Sequence, residues 1–272
     1  LAAPLVSALA ALIRSVNPNL TVPQVQEIIV NTADKIDASR YPYDGNGWNT
    51  RLGYGRINAY AALKYTLENY GGILRGDITL TEDLTVPTGK TLTIEPGTTI
   101  KFDPGVQLTI NGTLVAEGTS GNEVTFTRSG ASGNWDYIEF KSSSSGTISN
   151  ANIEYAQKGI FSTSDNVTLE NCVIEHFTEQ GIYASNSNIN VEDCIIRNPN
   201  GASHGIYLTF YSNPSITGTE ISGINGIGVY KSHYGNGTFS GGKIENCSTG
   251  FYAYNTTMEI QYEGFAVPEK KQ

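Results

Sequence analysis

Two carboxylates, a column of aromatic rings and a pair of thiols are the side chains in this sequence whose types and spacing could do chemistry. Glu154 and Glu175 recur at the same step of a repeated phrase. Stacked on neighbouring strands they would lie about 5 Å apart, the separation a retaining glycosidase uses between its nucleophile and its acid. The same step goes on as Arg197, Ser222 and Glu245, and a charge ladder on a solvated face is the ordinary explanation of such a run. Calcium needs more converging oxygens than two glutamates supply, so no metal and no cofactor is expected. Phe161, Tyr183, Tyr207, Tyr230 and Tyr252 share a second step. They read either as rings that stack on one another and protect a sheet, or as a strip that binds sugar rings or another repetitive ligand. Cys172 and Cys194 fall one period apart in a column of small residues and read as buried free thiols behaving as small hydrophobes. Parallel side chains on stacked strands give poor torsion geometry for a disulfide. The three histidines, His176, His204 and His233, all lie within the repeated phrase. No catalytic residue is expected within the chain.

The element that must position these groups is the repeat itself, from about residue 147 to 255. Ile153, Ile174, Ile196, Ile221 and Ile244 head five copies, spaced 21, 22, 25 and 23 residues apart. Five residues before each stands an apolar residue: Ile148, Leu169, Val191, Ile216 and Phe239. After each comes a glycine: Gly159, Gly181, Gly205, Gly228 and Gly250. An apolar residue and then the aromatic follow it. A period of this length marks a solenoid. Short runs alternating apolar and polar, bounded by Gly, Asn, Ser and Asp, are strands and turns, and no copy has room for a helix. A right-handed parallel β-helix is expected, one coil per copy, with equal positions stacked about 4.8 Å apart. Two residues before the key Ile come Ala151, Cys172, Cys194, Thr219 and Gly242, a tight inward column. Three before it come Asn150, Asn171, Asp193, Gly218 and Gly241, which suit a left-handed turn. Between residues 77 and 146 the same alternation runs through Ile78–Leu80, Leu84–Val86, Leu92–Ile94, Thr99–Phe102, Leu108–Ile110, Leu114–Ala116, Val124–Phe126 and Tyr137–Phe140. Pro-Gly turns divide these strands, and Gly133–Asp136 is the most atypical turn.

Composition narrows the function classes. The chain has 272 residues, of which 39% are hydrophobic and 16% charged, with a formal net charge of −9. That is globular β-rich composition, and its acidity argues against nucleic acid as a partner. No apolar run is long enough to span a membrane.

Residues 1–70 follow a different rule. Leu5, Leu9, Leu12, Ile13 and Val16 keep a helical period, and Asn17-Pro18 stops it. Thr21 caps a second helix with Pro23 at its start and Val25, Ile28 and Ile29 on its buried stripe. Leu52–Ile57 is a short strand or turn, and Asn58 caps a third helix over 59–65. These motifs, in order, resemble the end of the catalytic domain of subtilisin-like serine proteases. Leu1-Ala2-Ala3-Pro4-Leu5-Val6-Ser7 is similar to the stretch just after that family's nucleophile, with Leu1 where Met is usual. Pro18-Asn19-Leu20-Thr21, Gln24-Val25, Asn31-Thr32-Ala33 and Gly53-Tyr54-Gly55-Arg56-Ile57-Asn58-Ala59 follow in family order. The resemblance implies that the nucleophilic Ser lies immediately before Leu1, and the Asp, His and oxyanion Asn further upstream. Ser7 then reads as a small packing residue of a buried helix. The solenoid, in turn, resembles the opening coils of bacterial extracellular β-helix proteins and the fold of pectate lyases.

The expected chain is therefore mainly β: a C-terminal piece of a subtilisin-like peptidase domain at 1–67, a linker at 68–76 and a parallel β-helix at 77–272, unfinished at its end. Ile260, Phe265 and Pro268 read as the start of a further coil. The resemblance implies a secreted or cell-surface bacterial endopeptidase with protein substrates, the chain itself lacking the triad. The β-helix would be a binding or targeting appendage, with polysaccharide as a possible ligand. A carbohydrate-binding or carbohydrate-active surface protein, or a structural stalk or adhesin, is the alternative. Cut off from its sheet, the stripe at Leu5, Leu9, Leu12 and Ile13 is expected to have nothing to pack against, leaving residues 1–65 poorly ordered.

Overall fold

The computed structural model describes residues 2–198, 201 and 204–261. From Gly72 to Gln261 the described residues form a parallel β-solenoid. Each coil visits three sheets in turn, and every paired strand is parallel to its neighbour. The first sheet has nine strands, from Gly72–Leu74 to Glu259–Gln261. The second has eight, from Asp77–Leu80 to Lys243–Glu245, and the third eight, from Leu84–Val86 to Thr249–Tyr254. The strands expected between residues 77 and 146 are all present.

Register follows the repeat. Ile153, Ile174, Ile196, Ile221 and Ile244 pair in sequence along the second sheet, and all are buried. Ile148, Leu169, Val191, Ile216 and Phe239 do the same along the first. With side chains alternating between faces, these columns and the Leu108, Ile138, Ile160, Ile182, Ile206, Val229 column of the third sheet fill one continuous core. The turn column adopts the left-handed backbone: φ is 45° at Asn150, 51° at Asn171, 49° at Asp193, 58° at Gly218 and 62° at Gly241. Inside it, Ala151, Cys172, Cys194 and Thr219 are buried, and Cys172 and Cys194 are free thiols. The atypical turn at Gly133–Asp136 inserts Trp135 into the core, stacked on Phe102 at 4.3 Å, its indole N–H donating to the Glu154 carbonyl at 2.7 Å.

A glycine is required where coils meet. A Cβ on Gly205 would fall 2.7 Å from both the Gly228 carbonyl oxygen and the Ile221 Cγ2. Gly159, Gly181 and Gly228 meet the next coil in the same way.

Three helices precede the solenoid: α1 (Ala2–Val16), α2 (Val22–Asn31) and α3 (Ala59–Tyr70). The Thr21 backbone N–H donates to Gln24 Oε1 at the start of α2, and Asn58 Oδ1 accepts from the Ala61 N–H at the start of α3. At Leu52–Ile57 there are only isolated bridges, Asn49 with Gly53 and Asp34 with Arg56. Three expectations are corrected here. The stripe of α1 does find partners: Leu9 and Ile13 are buried with Leu20, Val25, Ile28 and Ala62. Leu5 and Leu12 stay exposed, and so does Ser7, which is no buried packing residue. The stretch 68–76 is not a free linker either. α3 runs through it to Tyr70, and Gly72–Leu74 is already a solenoid strand paired with Thr91–Ile94. Gly71-Gly72 serves close approach, since a Cβ on Gly72 would meet the Val16 carbonyl at 2.7 Å. Val16 and Leu67 then join the solenoid core, so α1 and α3 close its first coil.

Ile260 pairs with Phe239 as a further coil would require; Phe265 and Pro268, like Leu1 and Pro199, lie outside the described residues.

Candidate functional site

The outward positions of the third sheet carry the predicted aromatic column. Phe161, Tyr183, Tyr207, Tyr230 and Tyr252 are in register, coil upon coil. The rings touch throughout. Phe161 meets Tyr183 edge-on at 5.0 Å; Tyr183 stacks on Tyr207 at 5.3 Å, Tyr207 on Tyr230 at 4.5 Å and Tyr230 on Tyr252 at 5.3 Å. Tyr183, Tyr207 and Tyr230 are thus covered on both faces and present only their hydroxyl-bearing edges. Burial, and next the rings of Tyr230 and Tyr183, raise the pKa of Tyr207, which keeps its hydroxyl protonated. Only Tyr252 has an exposed ring in this row.

The row extends beyond its predicted members. At its head Tyr137 meets Phe161 edge-on at 5.6 Å. Around Tyr137 lie Asp136, Glu139, Lys141 and Lys158. Lys141 pairs with Glu139 at 2.5 Å and Lys158 with Glu179 at 2.6 Å. Burial raises the Asp136 pKa; Asp83 adds to the shift, Lys158 opposes it and Glu179 adds to it again. Beside the row, His204 stands edge-on to Tyr207 at 4.9 Å and to Tyr230 at 5.3 Å. Burial lowers its pKa, so it is neutral at physiological pH. Its Nδ1 and the Oε1 of Gln180, the residue paired with it in the preceding coil, are buried without hydrogen-bond partners.

The two glutamates do come into register, but not as a free carboxylate pair. Arg197 Nε binds Glu175 Oε2 at 2.6 Å, while Glu154 Oε2 accepts from Thr127 Oγ1 at 3.2 Å. The arrangement is a cross-coil charge ladder. Cys172 and Cys194 point inward, and each Sγ donates to a backbone carbonyl at 3.3 Å.

A second set of aromatic residues escaped the sequence reading. The turn that leaves the third sheet carries Phe210 and Tyr211 in one coil and His233 and Tyr234 in the next, and Tyr254 ends the strand before the turn that follows. Phe210 stacks on His233 at 5.3 Å and Tyr211 on Tyr234 at 5.3 Å. Tyr254 meets His233 edge-on at 6.1 Å. Phe210, Tyr211, His233 and Tyr234 all have left-handed backbone, with φ of 44°, 49°, 57° and 66°. The signal was legible: Tyr207–Asn213 and Tyr230–Asn236 are each one residue longer than Tyr183–Asn188, the stretch whose Asn is hydrogen-bonded in line with theirs.

Two kinds of relative match this chain. Residues 1–55 match the subtilase family. Over 66 residues the chain is 42% identical to the calcium-dependent proteases of Trichormus variabilis and of Nostoc sp., a match covering 24% of this chain and 10% of each relative. It is 31% identical over 91 residues to fervidolysin of Fervidobacterium pennivorans, covering 32% of the chain and 12% of that protein. The chain thus spans about a tenth of the length of the curated relatives it matches. No solved structure matches it. Residues 86–263, more than half of the sequence and most of the solenoid, match the family described as periplasmic copper-binding protein (NosD), and the chain belongs to that family.

Proposed function

We propose that this chain is the C-terminal part of a secreted subtilisin-like serine endopeptidase, in which the β-helix serves as a binding or targeting domain. The observation that carries the reading is the subtilase match over residues 1–55, whose helices lead without a break into the first coil. In such an enzyme Ser attacks the scissile carbonyl, His takes its proton, Asp orients the His and an oxyanion hole holds the developing charge. The reading puts all of these upstream of Leu1, with peptidase domain at 1–67 and solenoid beyond; what residues 2–70 contribute is the helical layer behind the nucleophile. Two of the relatives matched are called calcium-dependent proteases, and a calcium requirement of the longer polypeptide belongs to this proposal. An active-site serine probe tests it: the longer polypeptide should be labelled and the 272-residue chain should not. Labelling of this chain, or a residue other than Ser immediately before Leu1, would overturn it.

The copper in the family's description finds no fit in these side chains. Among the described residues no group of three or more His, Cys, Asp or Glu is placed to hold a metal. The two adjacent thiols face the core and are hydrogen-bonded to backbone. The alternative, a carbohydrate-binding surface domain, is favoured by the aromatic rows. In that reading Phe161, Tyr183, Tyr207, Tyr230 and Tyr252 supply a wall of ring edges, phenolic at the four tyrosines, and Tyr252 one open ring face.

A further inference from the structure

Rings that recognise a ligand by stacking need a free face, and the two aromatic rows differ in this. In the sheet row the inner tyrosines are sandwiched. In the turn rows Tyr211 and Tyr234 have only each other as ring partners among the described residues, and they are 60% and 58% exposed. In the preceding coil the turn holds Asn186, and in the following one Asn255 and Thr256, so the outer faces of the pair look onto small residues. Phe210 and Tyr254, at 52% and 50% exposed, flank them. This exposure runs against intrinsic backbone preference. A bulky side chain at positive φ is costly, and at other left-handed positions the solenoid mostly uses Asn, Asp or Gly. Among the described residues the stretches that carry the rings are uncharged, and Asp165, which accepts from the Asn188 N–H, lies two coils before Asn213. Residues 204–219, 232–242 and 246–258 contain no Asp, Glu, Lys or Arg, and Lys231 between them is buried, its amine donating to the Ser212 and Tyr234 carbonyls. The groups beside the rings are amides and hydroxyls: Asn188, Asn213, Asn236 and Thr257 form a hydrogen-bonded ladder one step along the turn.

We propose that Tyr211 and Tyr234, flanked by Phe210 and Tyr254, are the stacking platform for a neutral polysaccharide. The apolar C–H faces of pyranose rings suit bare aromatic faces, and their hydroxyls suit amides and hydroxyls. An anionic polymer, a nucleic acid or an anionic membrane would meet no counter-charge on this surface. This inference rests on reading the solenoid as a binding domain.

The experiment titrates the full 272-residue chain, by calorimetry, with cellohexaose, xylohexaose, chitohexaose and maltohexaose, and with hexagalacturonate as the anionic control. At least one neutral hexamer should bind, and more tightly than hexagalacturonate. Tyr211→Asn and Tyr234→Asn should each weaken that binding roughly tenfold or more. Asn accepts left-handed backbone, so the same variants should keep or raise the urea midpoint; loss of binding with an unharmed fold is the expected signature. Tyr207→Phe and Tyr230→Phe keep the stacked rings and remove only the hydroxyls, and should leave affinity unchanged. If the Phe variants lose binding and the Asn variants keep it, the platform is wrong while the binding domain stands. If no neutral hexamer binds, or hexagalacturonate binds as well, the inference is overturned. Labelling of the longer polypeptide by the serine probe is independent of every one of these outcomes.

Discussion

The solenoid and the helical segment bury their apolar residues by different logics. In the solenoid each buried side chain sits on a near-copy of itself, so one column such as Ile153 to Ile244 specifies register, core and sheet order together. In the helices each contact is used once. Leu9, Ile13, Val25 and Ile28 form a small cluster, while Leu5 and Leu12 are left in solvent and the exposed Val22 lines a cleft of ≈ 590 Å³ with Val6, Ala10, Ile29, Leu52 and Ile57. A repeat can complete its own core. A segment whose motifs resemble part of a larger domain keeps an apolar face that its own residues do not cover. The two tryptophans report the regions separately: Trp135 is buried in the solenoid, and Trp48 is exposed in the helical segment against Tyr54.

The largest test of that difference is Ile196→Ala. The side chain is fully buried between Ile174 and Ile221, so the cavity should cost about 2–5 kcal/mol. Urea denaturation followed through Trp135, in a Trp48→Phe background, measures it. A loss below about 1 kcal/mol would mean that the coils relax around the gap, and the column would not be the unit of stability.

Next comes a paired glycine test. Gly205→Ala places a methyl against the Gly228 carbonyl and Ile221 and should cost about 1–3 kcal/mol, because coil spacing must give way. Gly45→Ala in the helical segment meets nothing within 4 Å and should stay within about 0.5 kcal/mol. Equal effects at the two sites would dissolve the contrast between stacked and single-use packing.

How much of this was legible follows from the same contrast. The repeat exposed the solenoid, its Ile and Gly columns, the left-handed turn from Asn150 to Gly241 and the contact between the aromatic rings, because each of these occurs several times. What was missed rests mostly on contacts that no period repeats. Gly71-Gly72 reads as flexible in sequence, and only the approach of Val16 shows it as a tight junction. The burial of Leu9 and Ile13 depends on Leu20 and Ala62, which no period connects to them. Tyr137 lies at the head of the row but outside its register, where Glu139 pairs with Phe161. Phe210, Tyr211, His233 and Tyr234 sit in turns whose length changes from coil to coil, so an alignment on the strands passes over them.

Lys231 places an amine in the interior of the third sheet, and its effect should appear only with pH. It takes a position where Leu208 and Ala253 stand in the adjacent coils, and burial lowers its pKa from the ordinary lysine value. Below the folded-state pKa both states are protonated and the buried charge destabilises the fold. Between that pKa and the unfolded value of about 10.4 the unfolded chain binds the extra proton, so stability rises with pH. The stability of the native chain relative to Lys231→Met should therefore climb as pH approaches 10. A flat difference would show that the Ser212 and Tyr234 carbonyls compensate fully for desolvation.

The smallest effect is expected at Arg197→Ala. Like Ile196, Arg197 is part of a cross-coil column, pairing in register with Glu175, but it faces outward. Its Nε sits 2.6 Å from Glu175 Oε2 with half of the arginine side chain in water, and His176 Nε2 lies 3.8 Å from the other carboxylate oxygen. Water screens the pair, and fixing two long side chains costs entropy, so its loss should be about 0.2–1 kcal/mol and should shrink as salt is added. Combining Arg197→Ala with Glu175→Gln isolates the coupling in a double-mutant cycle. A coupling above about 2 kcal/mol that survives high salt would put the outward columns on the same footing as the inward ones. The solenoid's stability would then reside in its surface ladders as much as in its core. A coupling near zero leaves the stacked apolar columns as the term that distinguishes this region from the helices.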